Sequence, residues 1–153
     1  MWLLLAIMES LTNHFLFLLQ RYPDITTYFD AEIIGDRHSF VTRRWNATDE
    51  IDCEHWSRFP GFSGIASHFA DESYKYDFRN NDIVYMRWKE RFLVPDFKVT
   101  AIPGASFAGF YYISYSRSRQ EIQGYYYFHH SERFQSLNLT LVPQISFAAF
   151  EFQ

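Results

Sequence analysis

The clearest alternation of apolar and polar positions in the chain runs from Ile83 to Val94. At the two-residue period of a strand, Val84, Met86, Trp88, Phe92 and Val94 share one face. Ile83, Tyr85, Arg87, Lys89, Arg91 and Leu93 share the other. This pattern predicts a strand over Ile83–Val94, with the first face towards a core and the second, mostly cationic, towards water. Shorter runs of β-branched and aromatic residues predict further strands at Tyr28–Ile34, His38–Arg44, Ser106–Ser116, Glu121–His129, Leu137–Val142 and Ala148–Phe152. Ser116–Gln120 is polar and predicts the turn of a hairpin. A helix is expected over Asp49–Phe59, with Thr48 as its N-cap and Pro60 closing it, and a second short helix over Ser63–Phe69.

Glu90 interrupts the apolar row of the Ile83–Val94 strand. A carboxylate there is costly unless a cation or a hydrogen-bond donor meets it. Two readings stay open. The partner is an internal Arg, Lys or Tyr and the pair is structural, or Glu90 awaits a cation on a ligand. Ala105–Ile113 alternates small and aromatic residues, as a strand lining a cavity would, with Gly104 and Gly109 leaving room for close backbone approach. In Ile122–Phe128, Tyr126 shares a face with Ile122, Gly124 and Phe128, and its hydroxyl is expected to find a partner. An apolar cavity holding one acid and two phenols suits a small ammonium group.

The segments "MRWKERFLVPD", "GASFAGFYYI", "GYYY" and "SERFQSLNL", in this order and spacing, resemble the vacuolar-import-and-degradation family. The similarity is close over Asp82–Val142 and extends more loosely from about Tyr22 to Gln153. Members of that family are substrate receptors, subunit four, of the glucose-induced-degradation (GID, or CTLH) ubiquitin ligase. The resemblance implies a mainly β fold, an antiparallel β-barrel with one or two short inserted helices. It also implies a receptor that binds an N-terminal proline (a Pro/N-degron) and performs no chemistry itself. The targets it implies include gluconeogenic enzymes, and the location is the cytoplasm, with the nucleus and vesicle or vacuole surfaces left open. Residue by residue, the family's pattern matches Glu90 to the acid for the proline amine and Tyr111 to the phenol that shares it. It matches Gly104 and Ser106 to the loop beside the peptide, Phe107 and Leu93 to apolar walls, Tyr126 to a second pocket phenol, and Gln135 to the amide that bonds the peptide backbone. It also implies that the C-terminal segment, with Phe150 and Phe152 on one face, docks into an armadillo-repeat scaffold subunit; a final barrel strand is the other reading of that segment.

Ser106 and Tyr111 have opposite parity, so either both face the ligand and a bulge or kink lies between them, at Gly109, or Ser106 contributes through its backbone. Glu90 and Leu93 also differ in parity. Either the strand bends before Pro95, or Leu93 does not line the pocket.

Residues 1–20 differ in style from the 21–153 that form the expected degron-binding barrel. Trp2–Met8 and Phe15–Leu19 are apolar, but neither reaches the ~20 residues of a spanning helix, and no basic segment precedes the first. The family carries several strands ahead of "RYPD", which these residues do not resemble. The readings open for them are an altered start to the chain, a signal or membrane anchor, and an interaction segment. An altered start implies an incomplete barrel with open edges. It therefore keeps two alternatives alive: a truncated receptor that does not bind, and a barrel for small apolar amines.

Composition narrows the rest. The 153 residues suit one domain, and 21% of them are aromatic, which favours strands. A net charge of −4 argues against a nucleic-acid surface. The single Cys53 excludes an internal disulfide and suits a reducing compartment. Gly104 to Gly109 has the glycine spacing of a phosphate loop, but Phe110-Tyr111 stands where Lys-Ser/Thr is required. The adjacent His129 and His130 point to opposite faces of a strand and complete no ligand set, so neither metal nor cofactor is expected.

Overall fold

The structure, a computed structural model, describes residues 26–71, 73–93, 108–130 and 135–140. Five strands form one antiparallel sheet: β1 (Thr26–Ile33), β2 (Ile83–Leu93), β3 (Phe110–Ser116), β4 (Glu121–Tyr127) and β5 (Gln135–Thr140). Their spatial order is their chain order, β1-β2-β3-β4-β5. The mainly β, antiparallel expectation therefore holds. Among the described residues the sheet is open, with β1 and β5 as its edges. The strand expected at Ala148–Phe152 lies outside the described residues.

The connection between β1 and β2 carries the helical elements. Helix α1 spans Asp49–Trp56, and its cap is the expected one: the Thr48 side chain accepts the N–H of Ile51. Asp49, Glu50 and Asp52 in the first turn complement the positive end of the helix dipole. The helix stops at Trp56, three residues earlier than expected, with Ser57 as its C-cap. Pro60 opens a 3-10 turn over Pro60–Gly64 instead of closing the helix, as suits a residue whose fixed φ fits a first helical position. The second helix expected over Ser63–Phe69 is replaced by the end of that turn and a run of further turns. The hairpin turn follows Ser116 as expected, with Gln120 in left-handed backbone.

No strand forms at His38–Arg44. Phe40, Val41 and Thr42 are good strand formers, but their surroundings have other uses for the backbone. The carbonyl of Phe40 accepts Trp56 Nε1–H at 2.9 Å, and the carbonyl of Ser39 accepts Arg87 at 2.9 Å. The chain then turns through left-handed backbone at Arg43, Trp45 and Asn46.

Both faces of the sheet are covered, and the larger core lies on the face predicted to be wet. Tyr85 and Arg87 are 1% and 2% exposed, and Lys89 is buried beside them. Tyr85 joins Phe40, Trp56, Phe59, Phe62, Phe110 and Tyr112 in an aromatic cluster beneath α1. Its rings meet edge to face, as Phe40–Trp56 at 5.4 Å and Trp56–Tyr112 at 4.9 Å do, the arrangement that aromatic quadrupoles favour. The buried cation is fully met. Arg87 donates to Glu32 at 3.1 Å and to the carbonyls of Ser39 and Phe40, and Glu32 also pairs with Arg44. Asp52, 0% exposed on α1, completes this network. It accepts the backbone N–H of Thr42, the Thr42 hydroxyl and the Tyr112 hydroxyl at 2.6, 2.6 and 2.7 Å. The opposite face holds a smaller cluster of Trp88, Ile113 and Ile122, with Phe29, Met86, Tyr111, Tyr115, Leu137 and Leu139 against it.

Candidate functional site

In an antiparallel ladder, residues directly opposite each other project from the same face. The register therefore sets one row across all five strands: Ala31, Trp88, Tyr111, Tyr126 and Gln135. The next row holds Phe29 opposite Glu90. Four sequence-expected site residues, Glu90, Tyr111, Tyr126 and Gln135, thus share one face near one end of the sheet. They come from β2, β3, β4 and β5.

The aromatic members are packed together. Tyr111 and Tyr126 have ring centroids 5.1 Å apart, and Phe29 lies 5.5 Å from Trp88 and 6.0 Å from Tyr111. Tyr126 is 8% exposed, and its hydroxyl oxygen accepts the N–H of Gly109 at 3.0 Å. Burial pushes its phenol above the ordinary tyrosine value; the Gly109 N–H partly offsets this, and the negative charge of Glu90 adds to the rise. The Glu90 carboxylate is therefore within electrostatic reach of Tyr126. Glu90 and Tyr111 are half-buried, and Gln135 is exposed. The set falls from a packed aromatic floor at Trp88 and Tyr126 to an accessible rim at Gln135.

Gly109 supplies the expected kink. It sits in a bend immediately before β3, and β3 begins at Phe110, not at Ser106. A Cβ on Gly109 would stand 2.1 Å from the carbonyl oxygen of Tyr127 and 2.7 Å from the Tyr126 ring. Only glycine allows this approach. The β1–β2 register runs without a bulge through Glu90 to Leu93, which pairs with Thr26. Gly104, Ser106 and Phe107, and the docking pair Phe150 and Phe152, lie outside the described residues.

Sequence reasoning missed Phe29, whose alternation with Ala31 and Ile33 was the available signal, and Lys89, taken as a surface cation. A polar groove of about 330 Å³ lies at the other end of β3–β5, lined by residues that include Pro60, Ser114, Ser116, Arg119, Glu121 and Gln123. It contains none of the acid-and-phenol set, and its Ser116 hydroxyl donates to Asp82 at 2.8 Å. Among the described residues no group of three His, Cys, Asp or Glu could hold a metal ion, and no helix is long and apolar enough to cross a membrane.

The two rows bring one carboxylate, two phenols and an amide to one face of an antiparallel sheet, on an aromatic floor. The chain belongs to the vacuolar import and degradation protein family, whose model matches residues 13–142. It is 48% identical over 137 residues to the mouse glucose-induced degradation protein 4 homolog, covering 89% of this chain and 63% of that protein. It is 43% identical over 143 residues to the Schizosaccharomyces pombe GID complex substrate-recognition subunit 4, covering 84% of this chain and 71% of the relative. The Saccharomyces cerevisiae subunit of the same name is 29% identical over 179 residues, with 84% of this chain and 49% of that protein covered. The chain thus spans less than two thirds of the length of the mouse relative.

Proposed function

We propose that this chain is a substrate-recognition subunit of a GID-type ubiquitin ligase, and that it binds target proteins by a free N-terminal proline. The observation that carries the reading is the register, which sets Glu90, Tyr111, Tyr126 and Gln135 on one face in adjoining rows. The names of the relatives, substrate-recognition subunits of the GID complex, support the same reading.

An N-terminal proline is a protonated secondary amine with two N–H donors. Glu90 accepts one and neutralises the charge; the Tyr111 hydroxyl accepts the other. The pyrrolidine ring packs against Phe107, and the Gln135 amide bonds the peptide backbone at the rim. Binding and presentation are the whole task; transfer of ubiquitin belongs to other subunits. The armadillo-repeat scaffold takes the C-terminal segment with Phe150 and Phe152, and gluconeogenic enzymes in the cytoplasm are the target class.

The test is a calorimetric titration with a Pro-Gly-initiated peptide, its N-acetylated form and the Glu90→Gln variant. A hydrogen bond to a charged group contributes about 1.5–3 kcal/mol, so Glu90→Gln should weaken binding roughly 10- to 150-fold. Acetylation removes the charge and both donors and should abolish binding. Affinity should fall at alkaline pH, as the proline amine loses its proton. Equal affinity for the free and acetylated peptides would refute the reading. No binding of either would mark a receptor whose pocket residues do not assemble a working pocket.

A further inference from the structure

We infer that Lys89 is a positioning residue for the acid-and-phenol pocket, strapping the two halves of a forked sheet together through Gly109. This rests on the pocket reading above. The β1–β2 register runs as far as Thr26 opposite Leu93, and the β3–β4 register as far as Phe110 opposite Tyr127. The β2–β3 register between them stops at Trp88 opposite Tyr111. The sheet therefore forks just beyond that pair. Glu90 stands on one prong, two residues past the last pairing. Tyr111 closes that last pairing with Tyr126 beside it, and only Phe110 and Tyr127 continue into the other prong. Any ligand that uses the acid and a phenol together reaches from the β2 prong back to the root of the fork.

Lys89 spans the fork from the face opposite Glu90. Its Nζ donates to the carbonyl of Gly109 at 2.6 Å. The N–H of the same glycine donates to the Tyr126 hydroxyl at 3.0 Å. One residue thus joins a buried cation on the core side to a phenol on the pocket side. The Cβ clash at Gly109 explains why no other residue fits between them.

The loop after Phe40 gives this arrangement a roof. Trp45 lies on Phe110, centroids 4.8 Å apart, and Lys89 Nζ stands 5.7 Å from the Trp45 ring. Arg43, Trp45 and Asn46 all have positive φ, at 51°, 53° and 61°. Left-handed backbone is uncommon outside glycine, and three cases in four residues persist only where the surroundings over-determine them. Here the Asn46 carbonyl accepts the Tyr127 hydroxyl at 3.0 Å, which ties the loop to the β4 residue next to Tyr126. The strained loop closes the core side of the fork over Lys89.

A purely structural lysine would affect stability and leave the pocket's selectivity intact. A strap would act on binding through Tyr126. The experiment is a double-mutant cycle in the full chain with the Pro-Gly peptide: wild type, Lys89→Met, Tyr126→Phe and the pair, with Lys89→Arg as the conservative variant. Circular dichroism verifies folding, and Lys89→Gln, which keeps a polar tip at the site, takes the place of Lys89→Met if that variant does not fold. Lys89→Met should weaken binding about tenfold, within the range for one charged hydrogen bond, and Lys89→Arg should restore most of it. In the Tyr126→Phe background Lys89→Met should change affinity less than twofold. Amide hydrogen exchange at Gly109, read without peptide, should accelerate at least tenfold in Lys89→Met. An unchanged Kd, or additive losses in the cycle, overturns the inference and leaves the pocket reading standing. If wild type binds no peptide, the pocket reading falls. The exchange rate then judges the strap by itself, and unaltered exchange at Gly109 overturns it too.

Discussion

Removing the Asp52 carboxylate tests whether the polar network under the sheet is what fixes α1 against it. Asp52 is completely buried and accepts three hydrogen bonds, two from Thr42 and one from Tyr112. In Asp52→Ala the backbone N–H of Thr42 loses its acceptor and cannot move to another without unravelling the cap region. The two hydroxyls can turn, so their loss is partial. Each unsatisfied buried donor costs about 1–3 kcal/mol, so one full loss and two partial ones together cost about 3–5 kcal/mol. Arg87 keeps Glu32 and two carbonyls, so the expected loss is about 4 kcal/mol, at the middle of that range. For a chain of this size that is a fall in Tm of roughly 8–16 °C. Tyr112→Phe removes one donor and leaves the Thr42 pair in place, so it should cost only about 1–2 kcal/mol. Urea unfolding followed by tryptophan fluorescence measures both, since Trp56 is fully buried beside the network. An unchanged m-value would show that the difference is one of stability. The pH dependence has a defined sign. Burial pushes the Asp52 carboxyl above its ordinary value of 3.8, although Thr42, Tyr112 and Arg87 pull it back. Between 3.8 and the raised value the folded state holds more protons than the unfolded one, so stability from this group falls as pH rises through that window. Wild type minus Asp52→Asn should therefore grow as pH is lowered towards 3.8. Losses at Asp71, Asp77 and Asp82, whose carboxyls are lowered, begin only beneath 3.8 and cancel in the difference. Asp52→Ala costing under about 1 kcal/mol, or no more than Tyr112→Phe, would refute the argument.

Two further substitutions probe other parts of the sheet. Gly109→Ala places a Cβ against the Tyr127 carbonyl and the Tyr126 ring, both far inside contact distance; backbone must shift, and a loss of about 2–4 kcal/mol together with peptide affinity is expected. Retained affinity with wild-type Tm would show that the bend is not needed. Tyr85→Phe should run the other way, since the Tyr85 hydroxyl is buried and has no hydrogen-bond partner among the described residues. Removing it should raise stability by about 1 kcal/mol or leave it unchanged, and a loss above that in urea unfolding would reveal a partner such as a bound water.

Much of the strand pattern was legible because alternation is a local property. The helix start was legible for the same reason, as Thr48 and the acids after it sit within one turn. The burial of Arg87 and Lys89 was not. Both read as surface cations, and the groups that make their burial tolerable come from distant segments: Glu32 on β1, Asp52 on α1, the Ser39 and Phe40 carbonyls, and the carbonyl of Gly109. No window of sequence contains a buried cation and its acceptors together. The false strand at His38–Arg44 has the same origin. Its β-forming side chains were visible, but the claims of Arg87 and Trp56 on its carbonyls were not. The acid-and-phenol set was legible as residue types, while its assembly needed the register.

That register makes four consecutive residues serve two faces. Arg87 anchors the core side, Trp88 floors the pocket row, Lys89 reaches Gly109 from the core side, and Glu90 returns to the pocket side. A slip of one residue would bury Glu90 under α1 and expose Arg87 on the pocket face, so the polar network and the pocket specify the same alignment. The buried charges thereby do more than fill the core. Their acceptors lie on β1, in the loop between β1 and α1, and at Gly109 before β3, and a site must be held to within a fraction of an ångström by groups that are themselves locked. Glu90 can be half-exposed and still stiff in its backbone because Lys89 and Arg87, one and three residues before it, are tied down from beneath. On the function proposed above, a carboxylate so placed would meet the ammonium of a target with its backbone already ordered, and that saving in ordering entropy would favour affinity.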